Sequence, residues 1–170
     1  PAAAVSVGAA ILVAGFLMFA AAAPISTDDL WWHLQAGEMY ATDGLWPEQD
    51  WMLHTPREDA PIQHEWLFGV GVYTMERLFG LPGLRILHAL AVAVILALTL
   101  WATWIAAGRA ARRTGATLGG ESMRLALLSV SVIVFVGLST PRLVQLRPDL
   151  VTIIGVFLII GVILRDVPLR

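Results

Sequence analysis

The chain has 170 residues, of which 58% are apolar and 14% charged, with a net charge of −2 and a mean hydropathy of +0.74. Soluble domains carry about a quarter charged residues, so this composition excludes an ordinary soluble domain, and the acidic balance argues against a nucleic-acid partner. The expected fold class is an all-α integral membrane protein. All 11 basic residues are arginine, and the absence of cysteine excludes disulfides and thiolate metal sites.

At about 20 residues per spanning helix, about four transmembrane helices and one large outer loop use the whole length. Residues 1–23 form the first expected span, an apolar run 22 residues long from Ala2 to Ala23. The chain opens at Pro1, which leads to the expectation of a missing or processed N-terminus. A signal peptide with small residues at Ala20–Ala23 is the competing reading. A spanning helix is preferred because the apolar run exceeds the roughly 7–15 residues of a signal core and no basic segment precedes it.

Residues 24–83 form the loop. Between Pro24 and Leu81 lie 10 of the 13 acidic residues, five of the seven tryptophans and three of the four histidines. Two short interfacial helices are predicted within it. The first, capped by Ser26 or Thr27, carries Asp28 and Asp29 in its first turn, where negative charge meets the positive end of the helix dipole. It runs to about Thr42 and stops at Gly44, placing Asp29, His33 and Gly37 on one face. Trp31 and Trp32 are expected at headgroup level. Pro47, Pro56 and Pro61 make the following stretch irregular. The second helix is predicted from near Gln63 to Gly80, with a break at Pro82 and Gly83.

Residues 84–108 hold the second span, uncharged from Ile86 to Ala107. Arg109, Arg112, Arg113 and Arg124 then crowd a connection centred on residues 109–121. A short arginine-rich loop belongs on the cytoplasmic side, so the acidic loop is expected to face outward. The third span, residues 122–140, is weaker, with an apolar part of 14 residues that includes Ser129 and Ser131, and a buried or re-entrant segment competes with it. Pro141 and Pro148 flank a short outer turn, residues 141–149, and residues 150–170 carry the fourth span. Arg142 and Arg147 beside this turn are candidates to hold a lipid phosphate; the simpler alternative pairs Arg147 with Asp149 or with the acidic loop.

The order of a hydrophobic helix, STDDLWWHLQAGEMYATDGLWPEQDW, QHEWLFGVGVYTMERLFGLPGLRILHAL and LRPDLVTIIGVFLIIGVIL resembles the N-terminal part of bacterial GT-C-type membrane glycosyltransferases, which are similar to protein mannosyltransferases. The resemblance covers residues 10–165. It implies an acidic outer loop acting on an acceptor, a divalent metal in some members, and a sugar donor carried on polyprenyl phosphate. By motif, Asp28 or Asp29 would be the general base, with His64 and Glu65 nearby, and Arg147 would meet the phosphate.

Each assignment has a simpler counterpart. Helix stabilisation alone accounts for Asp28 and Asp29. His33, His54 and His64 with Asp29, Asp50 and Glu65 match no compact metal motif, and HEW lacks the second histidine of a zincin helix; no metal site is expected. The tryptophans serve as interfacial anchors before they serve as a sugar platform. His88, inside the second span, is a candidate haem or chlorin ligand, and equally a group that reaches water or a carbonyl. Two function classes follow. In one, the chain is a non-catalytic subunit of a larger membrane complex, photosynthetic or respiratory among the options. It would derive from a GT-C-like protein and pack against other subunits through faces such as Gly155 and Gly161, with the loop docking or capping a partner. In the other, it is the front of a GT-C glycosyltransferase. The short length favours the subunit.

Overall fold

The computed structural model of the chain describes residues 2–22, 24–25, 29–44, 64–114 and 120–166. Every regular element among them is helical: α1 (Ala2–Ala22), α2 (Leu30–Thr42), α3 (Trp66–Thr114), α4 (Gly120–Leu143) and α5 (Asp149–Asp166). The chain divides into two compact units, a loop unit of Ser26–Leu87 and a helical unit of Pro1–Ile25 with His88–Arg170. Among the described residues, Trp66–Arg109 and Arg124–Leu143 are long and apolar enough to cross a bilayer, and α1 contains a shorter apolar helix, Ala10–Ala20. The second and third of the four expected crossings therefore have helices of sufficient length. The weak third run reaches that length because the helix continues past residue 140 to Leu143.

In the loop unit, α2 buries Leu30, His33, Leu34, Ala36, Gly37, Met39 and Tyr40, a helical spacing of three and four residues that forms one continuous stripe. It ends where the sequence predicts: the Asp43 amide donates to the Met39 carbonyl at 2.9 Å, and Gly44 follows with φ 97°, a left-handed conformation that glycine adopts without a steric penalty. At the other end, Asp29 occupies the N-cap position instead of the first turn. Its carbonyl accepts from the His33 amide at 3.0 Å, while its side chain makes no capping hydrogen bond. Ser26, Thr27 and Asp28 lie outside the described residues, as does the irregular stretch 45–63.

The buried stripe of α2 meets the start of α3 at two glycines. A Cβ built on Gly37 would overlap the Gly69 carbonyl oxygen, and one on Gly69 would lie 3.0 Å from the His33 carbonyl oxygen. The two backbones are in direct contact, so no larger residue fits at the crossing. Around it the His33 ring meets Phe68 edge-on, with centroids 5.0 Å apart, and Tyr40 lies against Trp66.

The predicted end of the second loop helix is a kink. Gly80 alone leaves helical geometry, with φ 64° and ψ −166°, and the helix resumes immediately. Pro82 therefore starts the next helical segment, where its missing N–H would have had no intrahelical partner. Similarly, Pro141 lies inside the last turn of α4 instead of in the turn after it; only one backbone bond is lost there, and the Val144 amide still donates to the Thr140 carbonyl at 3.1 Å.

The helical unit is built by α1 lying along α4, with α4 also touching α5. Val92, Ile95 and Leu96 of α3, Leu128 and Val132 of α4, and Leu150 of α5 are buried, while Ile11, Met18, Val134, Leu138, Ile159 and Ile163 are exposed. Trp101 packs on Gly161, where any Cβ would overlap the indole, and Phe135 meets Phe157 edge-on at 5.5 Å. Gly161, expected at an intermolecular face, is thus part of an internal contact. Gly155 has nothing within 4 Å of its Cβ position.

The crossing makes opposite demands on nearby glycines. Gly37→Ala is expected to destabilise the loop unit by about 1–3 kcal/mol, as overpacking does. Gly71→Ala, at an exposed helical position with nothing within 4 Å, should stabilise by about 0.5–1 kcal/mol. Thermal unfolding followed by circular dichroism in detergent micelles measures both. A Gly37→Ala protein as stable as the parent would show that the backbones are not in contact.

Candidate functional site

The two motifs that bracket the loop are separated by some 30 residues in sequence and meet in the loop unit. His33, one turn into α2, is buried, and its Nε2 lies 3.8 Å from Oε2 of Glu65, whose side chain is 41% exposed. Glu65 immediately precedes α3, and its carbonyl accepts from the Gly69 amide at 3.1 Å. Asp29 and Glu65 thus both stand at helix N-termini, where negative charge interacts favourably with the exposed amides and the helix dipole. The arrangement is a shielded imidazole behind a carboxylate that reaches solvent. His33 also packs on Phe68, which holds the ring against rotation.

His64 is exposed beside Glu65 in sequence. No group of three or more histidine, aspartate or glutamate side chains is placed to hold a metal ion among the described residues; Asp28, Asp50 and His54 are not among these. Trp31 and Trp32 are both exposed, as interfacial anchors require.

The remaining candidates belong to the helical unit. Arg142 pairs with Asp149 through Nη1 and Oδ2 at 2.9 Å, both side chains substantially exposed. Arg142, at the end of α4, thus reaches across the turn to Asp149, the first residue of α5. The Arg147 carbonyl accepts from the Leu150 amide at 3.1 Å and opens α5. At the far end of this unit Arg109 donates to the Leu164 carbonyl, and the Arg124 guanidinium lies 5.6 Å above the Trp104 ring, a cation–π geometry.

His88 is 2% exposed. Its Nε2 donates to the Leu143 carbonyl at 2.7 Å. Leu143 is the last residue of α4, where carbonyls lack intrahelical partners. His88 therefore caps the end of α4, and its Nε2 is engaged by a carbonyl.

Two features were not evident in the sequence. Gly69 carried no signal, because a close backbone crossing depends on where α2 lands. Tyr73 and Arg77 form an i, i+4 hydrogen bond at 2.8 Å from Nη1 to the phenol oxygen; the spacing was visible, but not the groove it borders.

In comparisons with known proteins, the chain matches no family model, no curated protein and no solved structure.

The role given to His88 is measurable. His88→Leu leaves the buried Leu143 carbonyl without this donor and is expected to destabilise the helical unit by about 1–3 kcal/mol. His88→Gln, which retains a donor, should recover part of the loss. Denaturant titration in mixed micelles reads both, and equal stability of all three proteins would contradict the capping role.

Proposed function

We propose that the chain is the membrane-embedded front of a GT-C-type glycosyltransferase, in which the loop unit acts on the acceptor and the sugar arrives on a polyprenyl phosphate at the periplasmic face of a bacterial inner membrane. The single observation that carries this reading is the meeting of the DDLWWHL and HEW motifs, which sets the solvent-reaching Glu65 carboxylate 3.8 Å from the buried His33. A general base needs an exposed oxygen that an acceptor hydroxyl can approach, held in place by groups behind it. Glu65 has both properties, and Asp29 at the start of α2 is the second candidate.

In this reading the carboxylate takes the proton of the acceptor hydroxyl as the oxygen bonds to the anomeric carbon. The bond from that carbon to the phosphate oxygen breaks, and polyprenyl phosphate leaves with the electron pair. The exposed apolar side chains of all four helices of the helical unit fit four membrane crossings, two of them on α1 and α5.

A second reading, a non-catalytic subunit of a larger membrane complex, is favoured by the open surface at Gly8, Gly15, Gly137 and Gly155, which have nothing within 4 Å. Small residues of this kind let a further helix approach closely, whether from another subunit or from the same enzyme.

Transfer of radiolabelled sugar from a polyprenyl-phosphate donor, assayed with the whole protein in proteoliposomes, tests the enzyme reading. Glu65→Gln is expected to lower the rate by roughly 10²–10⁴-fold, the usual contribution of a general base, and Asp29→Asn by less. Full activity of Glu65→Gln and Asp29→Asn proteins would overturn the assignment. Absence of transfer by the parent protein, together with co-purifying subunits, would favour the second reading.

A further inference from the structure

The loop unit contains a second feature, separate from the His33–Glu65 pair. A groove of about 370 Å³ runs between α2 and the start of α3, lined by Trp31, Leu34, Gln35 and Glu38 from one helix and Tyr73, Glu76 and Arg77 from the other. The spacings i, i+4, i+7 on α2 and i, i+3, i+4 on α3 put each set on a single face. Trp31 is 67% exposed, so its indole is available to a ligand. The Arg77 guanidinium is oriented by the Tyr73 hydroxyl at 2.8 Å and lines the same groove as Glu38. The groove therefore presents two carboxylates, one guanidinium and one indole.

We propose that this groove binds the headgroup of a zwitterionic phospholipid of the phosphoethanolamine class. A purely anionic ligand would meet two carboxylates, and a purely cationic one would meet the guanidinium. A dipolar headgroup satisfies both charges: Arg77 donates to the phosphate oxygens, and Glu38 and Glu76 accept from the ammonium, which the exposed Trp31 can also face through its ring. The location fits a lipid. Leu78, Phe79 and Leu81, directly after Arg77, are all exposed hydrophobic side chains, so along α3 the charged groove gives way within one turn to hydrocarbon surface. That transition is where headgroups lie. The inference rests on the membrane placement in the proposed function and not on the glycosyl transfer.

Native mass spectrometry of the detergent-solubilised whole protein, given equal amounts of phosphatidylethanolamine, phosphatidylcholine and phosphatidylglycerol, tests it. The parent protein is expected to retain phosphatidylethanolamine about tenfold over phosphatidylglycerol, equivalent to about 1.4 kcal/mol, and over phosphatidylcholine, which has no N–H to donate. The double variant Glu38→Gln/Glu76→Gln, nearly isosteric, should lose that preference while keeping its helical circular dichroism. Arg77→Gln should weaken retention of all three lipids. Glu65→Gln should leave retention unchanged, so that failure of the catalytic reading leaves this one standing. Equal retention of the three lipids by the parent, an undiminished preference in the double variant, or equally tight binding of soluble phosphoethanolamine would each overturn the assignment.

Discussion

The loop unit depends on one steric constraint, the crossing of α2 over α3 at Gly37 and Gly69. Side chains usually hold helix axes 8–10 Å apart. Here a Cβ at either position would press into the opposing backbone, and the helices are correspondingly close. Their proximity has a chemical consequence. It brings the first turn of α2 up to the beginning of α3, so that His33 and Glu65 become neighbours although the intervening chain is long. It also aligns the polar faces of both helices, and Glu38, Glu76 and Arg77 border the same groove. The His33–Glu65 approach and the groove thus both follow from two absent side chains.

The helical unit is organised differently. Its buried positions are few for so many apolar residues, and large side chains face outward on α1, α3, α4 and α5. Contiguous apolar surface of this extent is unfavourable in water and neutral in hydrocarbon, where helices associate through close packing and specific polar contacts. Both kinds are present. Trp101 fills the space left by Gly161, and His88 connects α3 to the end of α4 through the Leu143 carbonyl. A buried histidine in such a helix invites a cofactor assignment, yet an unmet helix-terminal carbonyl is an equally strong reason for a donor at that position.

Much of this was legible from residue order. The described elements are all helical, as expected, and two of them are long and apolar enough to cross a bilayer; the end of α2 followed from Gly44, because a glycine after an apolar stripe is a strong stop signal. The second loop helix ended at Gly80 as predicted, although the chain kinks there and continues, since Pro82 is compatible with a helix start. Pro141 was read as a boundary but lies within α4, because a proline in a final turn removes a single hydrogen bond. What could not be read was anything that depends on the crossing of α2 and α3. Residue spacing specifies the face of a helix and not its partner, so Gly69, the His33–Glu65 approach and the groove at Tyr73 and Arg77 emerged only in three dimensions. For the same reason the reach of Arg142 across the turn to Asp149 was not evident from their separation in sequence.

The central claim is that the two ends of the loop act as one site. A double-mutant cycle measures this most directly: sugar transfer by the parent protein, His33→Asn, Glu65→Gln and the double variant, all in proteoliposomes, with folding checked by circular dichroism. If the two residues form one unit, the double variant loses little more than Glu65→Gln alone, giving a coupling of about 0.5–3 kcal/mol as for contacting residues. Losses that simply add would contradict a shared site and leave His33 as a packing residue of the glycine crossing.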